Sequence, residues 1–461
     1  RMWNQRLAPT AMEPRGVVAH YEPGKDTMTI WSSTQNPHIL RSFIAAMNGM
    51  GQDQVRAIAP EVGGGFGAKI NIYAEEYVVA GLSKRFGLPL KWTEDRSEAF
   101  LATTHGRDIL GYIDIAATRD GKVLGMKLRL IADIGAYNML LTAAIPTLTM
   151  MMANATYDIP AIRTTLTEVF TNKTPTDAYR GAGRPEATYF VERGMDMLAR
   201  ELGMDPAELR RKNFIKPDQY PFASAAGLEY DSGNYDALMD KMEEVADVAG
   251  FAERRKASEA KGLLRGFGVN AYVEACGIAP SNLVGVLGSR VGLYDAATVR
   301  VNATGNLSVM VGAHSHGQGH ETVFAQVLCE RLGVDFGAVR ILLGDSDQMV
   351  VGGGSQSVRS MRLGGTVLSW AADAIIEKGK RLAAHVLEAA ESDVEFEAGA
   401  FTISAARLEV LFQQSLAPFV SAQMALTRGR VSGSLRSVRS TVSAVAVAPV
   451  GSCSKITLRS T

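Results

Sequence analysis

Apolar and polar positions alternate early in the chain. Gly16-Val17-Val18-Ala19-His20-Tyr21 and Thr27-Met28-Thr29-Ile30-Trp31 each read as a strand, parted by a Pro-Gly-Lys-Asp turn. Strand and helix then take turns. A strand is expected over 54–59, followed by a glycine run, a helix over Ala74–Phe86 with Tyr77, Val78, Ala80, Gly81 and Leu82 on one side, and a short strand over 88–92. Residues 108–120 and 122–133 predict a β-hairpin about Arg119-Asp120-Gly121. Helical period returns over 185–202. Asp205-Pro206-Ala207-Glu208 opens another helix, with Asp as N-cap and Pro in the first turn. A charged helix over 252–262 leads to a boundary near residue 263. Strands are expected beyond it over 267–273, 297–301 and 307–311, and helices over 322–332 and 366–390. No sequence repeat is visible. This mixture of hairpins and helices predicts an α+β (mixed α/β) fold, not a doubly wound sheet.

Composition narrows the class. The 461 residues are 46% hydrophobic and 21% charged, which suits two or more globular domains. Lys+Arg and Asp+Glu both number 48, so no basic excess favours nucleic acid or an anionic membrane as partner. No membrane span is expected, since the most apolar stretch, 136–155, is broken by Asn138, Pro146 and Asn154. The cysteines, Cys276, Cys329 and Cys453, are odd in number and far apart, which excludes a disulfide framework and a CxxC-type zinc or iron–sulfur site within this chain. A reducing, cytoplasmic setting fits. Both ends read as cuts through a longer protein. After Glu409 the last 52 residues hold six basic residues and no acid, so 405–461 reads as a basic tail, either disordered or out of frame.

Three glycine-centred loops carry the chemistry. In Gly63-Gly64-Gly65-Phe66-Gly67-Ala68-Lys69, successive glycines allow positive φ and aim backbone N–H groups at an anion or an oxo group. The loop is not a Walker A motif, because no Ser or Thr follows Lys69, and no Rossmann acid follows it either. A tight strand-to-helix turn is the structural alternative. In Gly312-Ala313-His314-Ser315-His316-Gly317-Gln318-Gly319-His320, three histidines invite zinc, yet the glycines between them break a helical face. Gln318 between Gly317 and Gly319 suits a polar heterocycle better. The third loop, Gly352-Gly353-Gly354-Ser355-Gln356-Ser357-Val358-Arg359-Ser360, offers amides, hydroxyls and one Arg to a phosphate. Between them, Asp177-Ala178-Tyr179-Arg180-Gly181-Ala182-Gly183-Arg184 sets two arginines about a glycine turn. Arg180 either orients an anionic or carbonyl substrate or pairs with a nearby carboxylate.

In this order, and with Met12-Glu13-Pro14-Arg15, Ser33-Thr34-Gln35, Trp92-Thr93-Glu94-Asp95-Arg96, Thr171-Asn172-Lys173 and Arg211-Lys212-Asn213-Phe214-Ile215, the motifs resemble the molybdenum-binding large subunits of the xanthine oxidase family. They look closest to the aerobic carbon monoxide dehydrogenase type. The resemblance covers about 5–404 and implies two molybdopterin-binding domains of the xanthine oxidase/aldehyde oxidoreductase type, over 1–262 and 263–404. It implies a molybdenum hydroxylase using molybdopterin cytosine dinucleotide, with [2Fe–2S] and FAD on a small and a medium partner subunit, and an aldehyde or N-heterocycle as substrate. It places Gly64, Gly65, Phe66, Gly67 and Gly181 by the metal. Gly317, Gln318, Gly319 and His320 fall by the pterin, Gly354, Ser355, Arg359 and Ser360 by the dinucleotide phosphates, and Arg180 at the substrate. No protein ligand to the metal is implied within the chain. Carbon monoxide dehydrogenases carry a copper-binding Cys where Gly181 stands, and purine hydroxylases a Glu where Ile70 stands, so neither CO nor xanthine is the expected substrate. An inactive truncated chain, or a nucleotide-binding module without redox chemistry, are the alternatives.

Overall fold

In a computed structural model of the protein, the structure describes residues 1–278, 294–349, 351–403, 409–411 and 442–447. The chain forms two compact units that cut across the division expected at 263. One comprises Arg1–Thr10, Phe66–Ala68 and Phe100–Ala275, and the other Ala11–Gly65, Lys69–Ala99 and Cys276 onward.

In the second unit, the strands Gly16–Glu22 and Thr27–Ser32 pair antiparallel, and the Pro37–Met47 helix crosses to Val55–Ile58, which lies parallel to Thr27–Ser32. The Ala74–Phe86 helix then leads to Leu90–Thr93, which returns antiparallel beside Gly16–Glu22. The second half of the chain retraces this path. Ala296–Val301 and Leu307–Val311 pair antiparallel, and the His320–Leu332 helix crosses to parallel Val339–Leu342. After the Thr366–Val386 helix, Val442–Val447 returns beside Ala296–Val301. Both sheets therefore have the order third, second, first, fourth, counting strands along each repeat. No sequence periodicity announced this repeat, because topology is conserved by burial pattern and not by residue identity.

Each repeat has its own core. Leu40, Ile44, Val79 and Ala80 cover Ala19, Met28, Ile30 and Ala57 in the first. Phe324, Leu328, Leu368 and Ala371 cover Val299, Val309 and Val311 in the second. The repeats join edge to edge. Ile58 and Asp345 form an antiparallel bridge, Ala59 N–H donates to Gly344 O at 2.8 Å, and Ser346 N–H to Ala57 O at 3.0 Å. The Arg56 guanidinium takes the Asp345 carboxylate at 3.1 and 2.5 Å. This seam is why residues 11–65 and 69–99 fold with the second half of the chain.

The other unit is built on a sheet ordered Met2–Asn4, Ile109–Ala117, Val123–Gly135, Ile162–Phe170, the last pair parallel. The expected hairpin is present, with Gly121 at φ +91°. Phe190, Val191 and Met195 of the Arg184–Leu202 helix are buried with Ile109, Leu128 and Leu130 of the sheet. Asp205 caps the Pro206–Asn213 helix, its carboxylate accepting from Ala207 N and Glu208 N.

Three expectations are corrected. Residues 267–273 form no strand: alternate Val269, Ala271 and Val273 pack on the core as the pattern demanded, but the Ala271 N–H goes to Glu192 at 2.9 Å and not to a neighbouring strand. The last long helix stops at Val386, ahead of Glu388 at φ +52°. Within the expected tail, Glu409–Leu411 and Val442–Val447 are strands, and the rest of that segment lies outside the described residues. Among the described residues no helix is long and apolar enough to cross a membrane.

Arg210, fully buried, bonds Glu192 at 2.8 Å and Asp196 at 2.9 Å, while Tyr157 donates to Glu192. Glu192→Ala strands most of this charge and is expected to cost about 3–5 kcal/mol, against about 1 kcal/mol for the exposed cap change Asp205→Ala. Denaturant unfolding of the two variants checks the contrast.

Candidate functional site

The repeat gives the glycine loops a common origin. In each sheet the second and third strands run parallel, and the segments leaving their carboxyl ends are 33–36 and 59–73 in the first repeat, 312–319 and 343–359 in the second. In open α/β sheets ligands gather at such ends.

Gln35 ties three of these segments together. Its N–H donates to Lys69 O at 2.9 Å, its side-chain amide to Ser355 O at 2.9 Å, and its carbonyl accepts from Ser355 N at 3.3 Å. The Ser355 hydroxyl in turn accepts from His314 N at 3.1 Å and donates to His314 O. A Cβ on Gly65 would stand 2.5 Å from the Gln35 amide, so the glycine admits that side chain. Glu13 closes the loop from outside, accepting from Gly63 N and from Lys69 Nζ, both at 2.8 Å. Burial pulls the Lys69 pKa down, against the pull of Glu13.

At 312–320 the backbone is open. Gly317 at φ +108° and Gly319 at φ +71° have no heavy atom within 4 Å of an added Cβ. Gln318 is exposed and folds back on its own loop, accepting from His316 N at 2.7 Å. Burial, with the neighbouring imidazoles adding to it, holds His314 down to about 3 and His316 to about 4, so both are neutral at ordinary pH. Both ring nitrogens of His314, Nδ1 of His320 and Oε1 of Gln356 are buried without a hydrogen-bond partner among the described residues. Buried polar atoms without partners are costly. Together with the open glycines, they fit a polar heterocyclic ligand carrying its own donors and acceptors. Among the described residues no group of three His, Cys, Asp or Glu is arranged to hold a metal ion.

The third loop is braced from within. Arg359 is fully buried, donating to Gly354 O at 2.9 Å and to Tyr294 O, with Asp295 at 3.6 Å. Its guanidinium shapes the loop and does not face solvent. Ser360 Oγ meets Ser355 Oγ at 3.1 Å, so both hydroxyls are engaged inside. Two backbone amides are engaged as well, Gly354 N on Gly312 O at 3.2 Å and Ser355 N on Gln35 O at 3.3 Å.

In the other unit, Phe66–Ala68 and 177–183 come together. Arg180 N–H donates to Phe66 O at 2.8 Å. Gly67, at φ +101°, passes so close to Ala178 O that a Cβ has no place. Asp177 accepts from Leu141 N at 2.9 Å and Thr142 Oγ1 at 3.2 Å, adding the 139–142 segment. The two arginines part ways. Arg180 is exposed and its guanidinium makes no bond to a carboxylate among the described residues, so the pairing alternative is not what the structure shows. Arg184 is buried and holds Ala275 O at 2.7 Å and Glu274 at 2.9 Å. Burial raises the Glu274 pKa, with Arg184 opposing.

The sequence motifs contain Gln35 and Glu13 but assign them no role, and they omit Arg107, which donates to Tyr179 O and Arg180 O. For Gln35 the missing signal was topological: its segment stands in the first repeat where Gln318 stands in the second.

Comparison with known proteins agrees with this geometry. Two stretches, residues 1–214 and 241–441, each match the molybdopterin cofactor-binding domain. The carbon monoxide dehydrogenase large chain of Hydrogenophaga pseudoflava is 35% identical over 408 residues, 87% of this chain and 51% of that one. The nicotine 6-hydroxylase large subunit of Paenarthrobacter nicotinovorans is 34% identical over 415 residues, 88% of this chain and 50% of that one. Quinoline 2-oxidoreductase from Pseudomonas putida 86 superposes with a TM-score of 0.87 at 32% identity, covering 96% of this chain and 56% of that one. The chain thus spans about half the length of the curated relatives it matches.

The unfolded chain protonates His314 near 6.5 and the folded one only near 3, so between these values the unfolded state binds more protons. Stability should fall with pH across that window, by up to about 1.4 kcal/mol per pH unit from this group. His314→Gln is expected to flatten the decline between pH 6 and 4. Denaturant titrations of parent and variant across that range measure the difference in slope.

Proposed function

Because the chain belongs to the xanthine oxidase family of molybdopterin-binding subunits, we propose that it is the cofactor-holding part of the catalytic large subunit of a molybdenum hydroxylase. The observation that carries this reading is the convergence on Gln35 of three loops that leave open glycines and unpartnered buried polar atoms beside them. The group proposed is molybdopterin cytosine dinucleotide, which when bound supplies a two-electron oxidation of a small aldehyde or N-heterocycle.

The chain's own residues position and exclude. Gly64, Gly65, Phe66 and Gly67 present backbone to the metal side, with Phe66 held at φ +55°. Gly317 and Gly319 admit the pterin, and Gln318 exchanges its bonds to His316 for bonds to the ligand. Neutral His314 and His320 offer nitrogens without adding charge. At the phosphates, Gly354, Ser355 and Ser360 line the contact while Arg359 holds their shape. Arg180 turns its guanidinium to the substrate beside Gly181. Electrons pass to iron–sulfur and FAD centres on separate small and medium subunits, in the cytoplasm.

The test is molybdenum and released CMP per chain, on protein made in a host that produces the cytosine dinucleotide. About one of each is expected, and Gln318→Ala, on an exposed loop, should lower both several-fold with no change in Tm. Neither molybdenum nor CMP in the parent chain would overturn the reading.

A further inference from the structure

Arg180 has an exposed guanidinium on a tightly held backbone, and the holding is done by a residue far away in sequence. Arg107 sits at φ +68°, a left-handed conformation that costs a non-glycine residue about 1–3 kcal/mol. The next residue, Asp108, is also left-handed at φ +64°. Two such residues in a row persist only where their surroundings over-determine them. Asp108 supplies that anchorage, bonding Arg6 at 2.7 Å and Lys173 at 3.1 Å.

So held, Arg107 reaches the turn from beneath. One terminal nitrogen donates to Tyr179 O and to Glu186 Oε1, both at 2.8 Å, and the other to Arg180 O at 2.7 Å. Its guanidinium also lies over the Tyr179 ring, 4.8 Å from the centroid. Glu186 is fully buried, and its other oxygen accepts from Gly183 N at 2.8 Å. The pair therefore grips carbonyls at 179 and 180 and the amide at 183. A Cβ on Gly106 would collide with the Tyr179 side chain, so this glycine permits the approach. Among the described residues the Arg180 guanidinium makes no hydrogen bond or ion pair.

We propose that Arg107, with Glu186, is a positioning residue that fixes the Arg180 guanidinium for an anionic or carbonyl group of the substrate. The planar fork matters: the guanidinium spreads its donors over two terminal nitrogens held in one rigid plane, whereas an ammonium gathers its three on a single atom at the end of a flexible stem. The proposal rests on the reading of Arg180 as the substrate-facing group.

Two measurements on the full chain separate the parts. Amide hydrogen exchange reads the clamp, and mass-spectrometric modification of Arg180 by phenylglyoxal, with benzoate as protecting anion, reads the guanidinium. In Arg107→Gln, exchange at 179–184 should quicken about tenfold or more while the strand at 109–117 stays protected. The benzoate concentration giving half-protection of Arg180 should rise about tenfold, since small misplacement of an anion-binding group is costly. Arg107→Lys should recover part of the protection. If exchange at 179–184 is unchanged, there is no clamp. If it quickens but half-protection does not move, the clamp does not position Arg180, and the proposal is overturned. If benzoate never protects Arg180 in the parent chain while exchange responds, the failure lies in the reading of Arg180, and the positioning role falls with it. Should Arg107→Gln loosen the whole unit, Glu186→Gln serves instead. It keeps an acceptor for Gly183 N and removes the charge that Arg107 meets, and an unchanged exchange rate there also overturns the clamp.

Discussion

The seam between Ile58–Ala59 and Gly344–Ser346 is the constraint on which the rest of the second unit depends. It is small: one antiparallel bridge, two main-chain bonds, the Ala57 N–H on Ser346 Oγ, the Arg41 guanidinium on Ser346 O, and the pairing of Arg56 with Asp345. Yet it sets the carboxyl ends of two parallel strand pairs side by side, and those ends carry all the glycine segments of that unit. Without the seam each repeat would present its loops separately, and Gln35 would have no Ser355 to reach. The seam also explains why the first-half strands belong to the second-half core. Edge strands with unpaired groups seek partners, and here the partner is the matching edge of the sister repeat.

Once brought together, the loops are tied to one another by some of their polar groups and left unsatisfied at others. Gln35, Ser355 and Arg359 spend their bonds on backbone, so they fix shape. His314, His320 and Gln356 keep atoms without partners, so they store a cost. The two groups of residues differ in what a ligand can do for them. Partners from a ligand would offset the cost in the second group and leave the first unchanged. Burial keeps the imidazoles of His314 and His316 from charging.

Local elements were legible because their causes are local. The hairpin about Gly121, the cap at Asp205 and the burial stripe of the Arg184–Leu202 helix all follow from turn chemistry and period. The glycine loops were legible too, as backbone positions that must accept positive φ or close approach. What failed to show was long-range. Alternation at 267–273 correctly gave a buried face, but nothing local says whether a ladder partner exists. Arg359 looked like an anion ligand because residue type says nothing of direction, and the structure points it inward. Gln35, Glu13 and Arg107 each act on a loop at least thirty residues away, and no spacing rule reaches that far. The repeat escaped because its two copies share an order of elements and not a sequence.

The turn at Gly181 shows how backbone conformation bears on chemistry. Gly181 could be regarded as one missing side chain. The structure says more. Gly181 is at φ +96°, and a Cβ there would drive into the Pro185 ring that opens the helix behind it. Any side chain at this position would meet both obstacles at once, strain in the backbone and collision with the proline. A side chain here therefore requires the turn itself to change, and with it the carbonyls at 179 and 180 that Arg107 grips. Position 181 is committed to glycine by its surroundings.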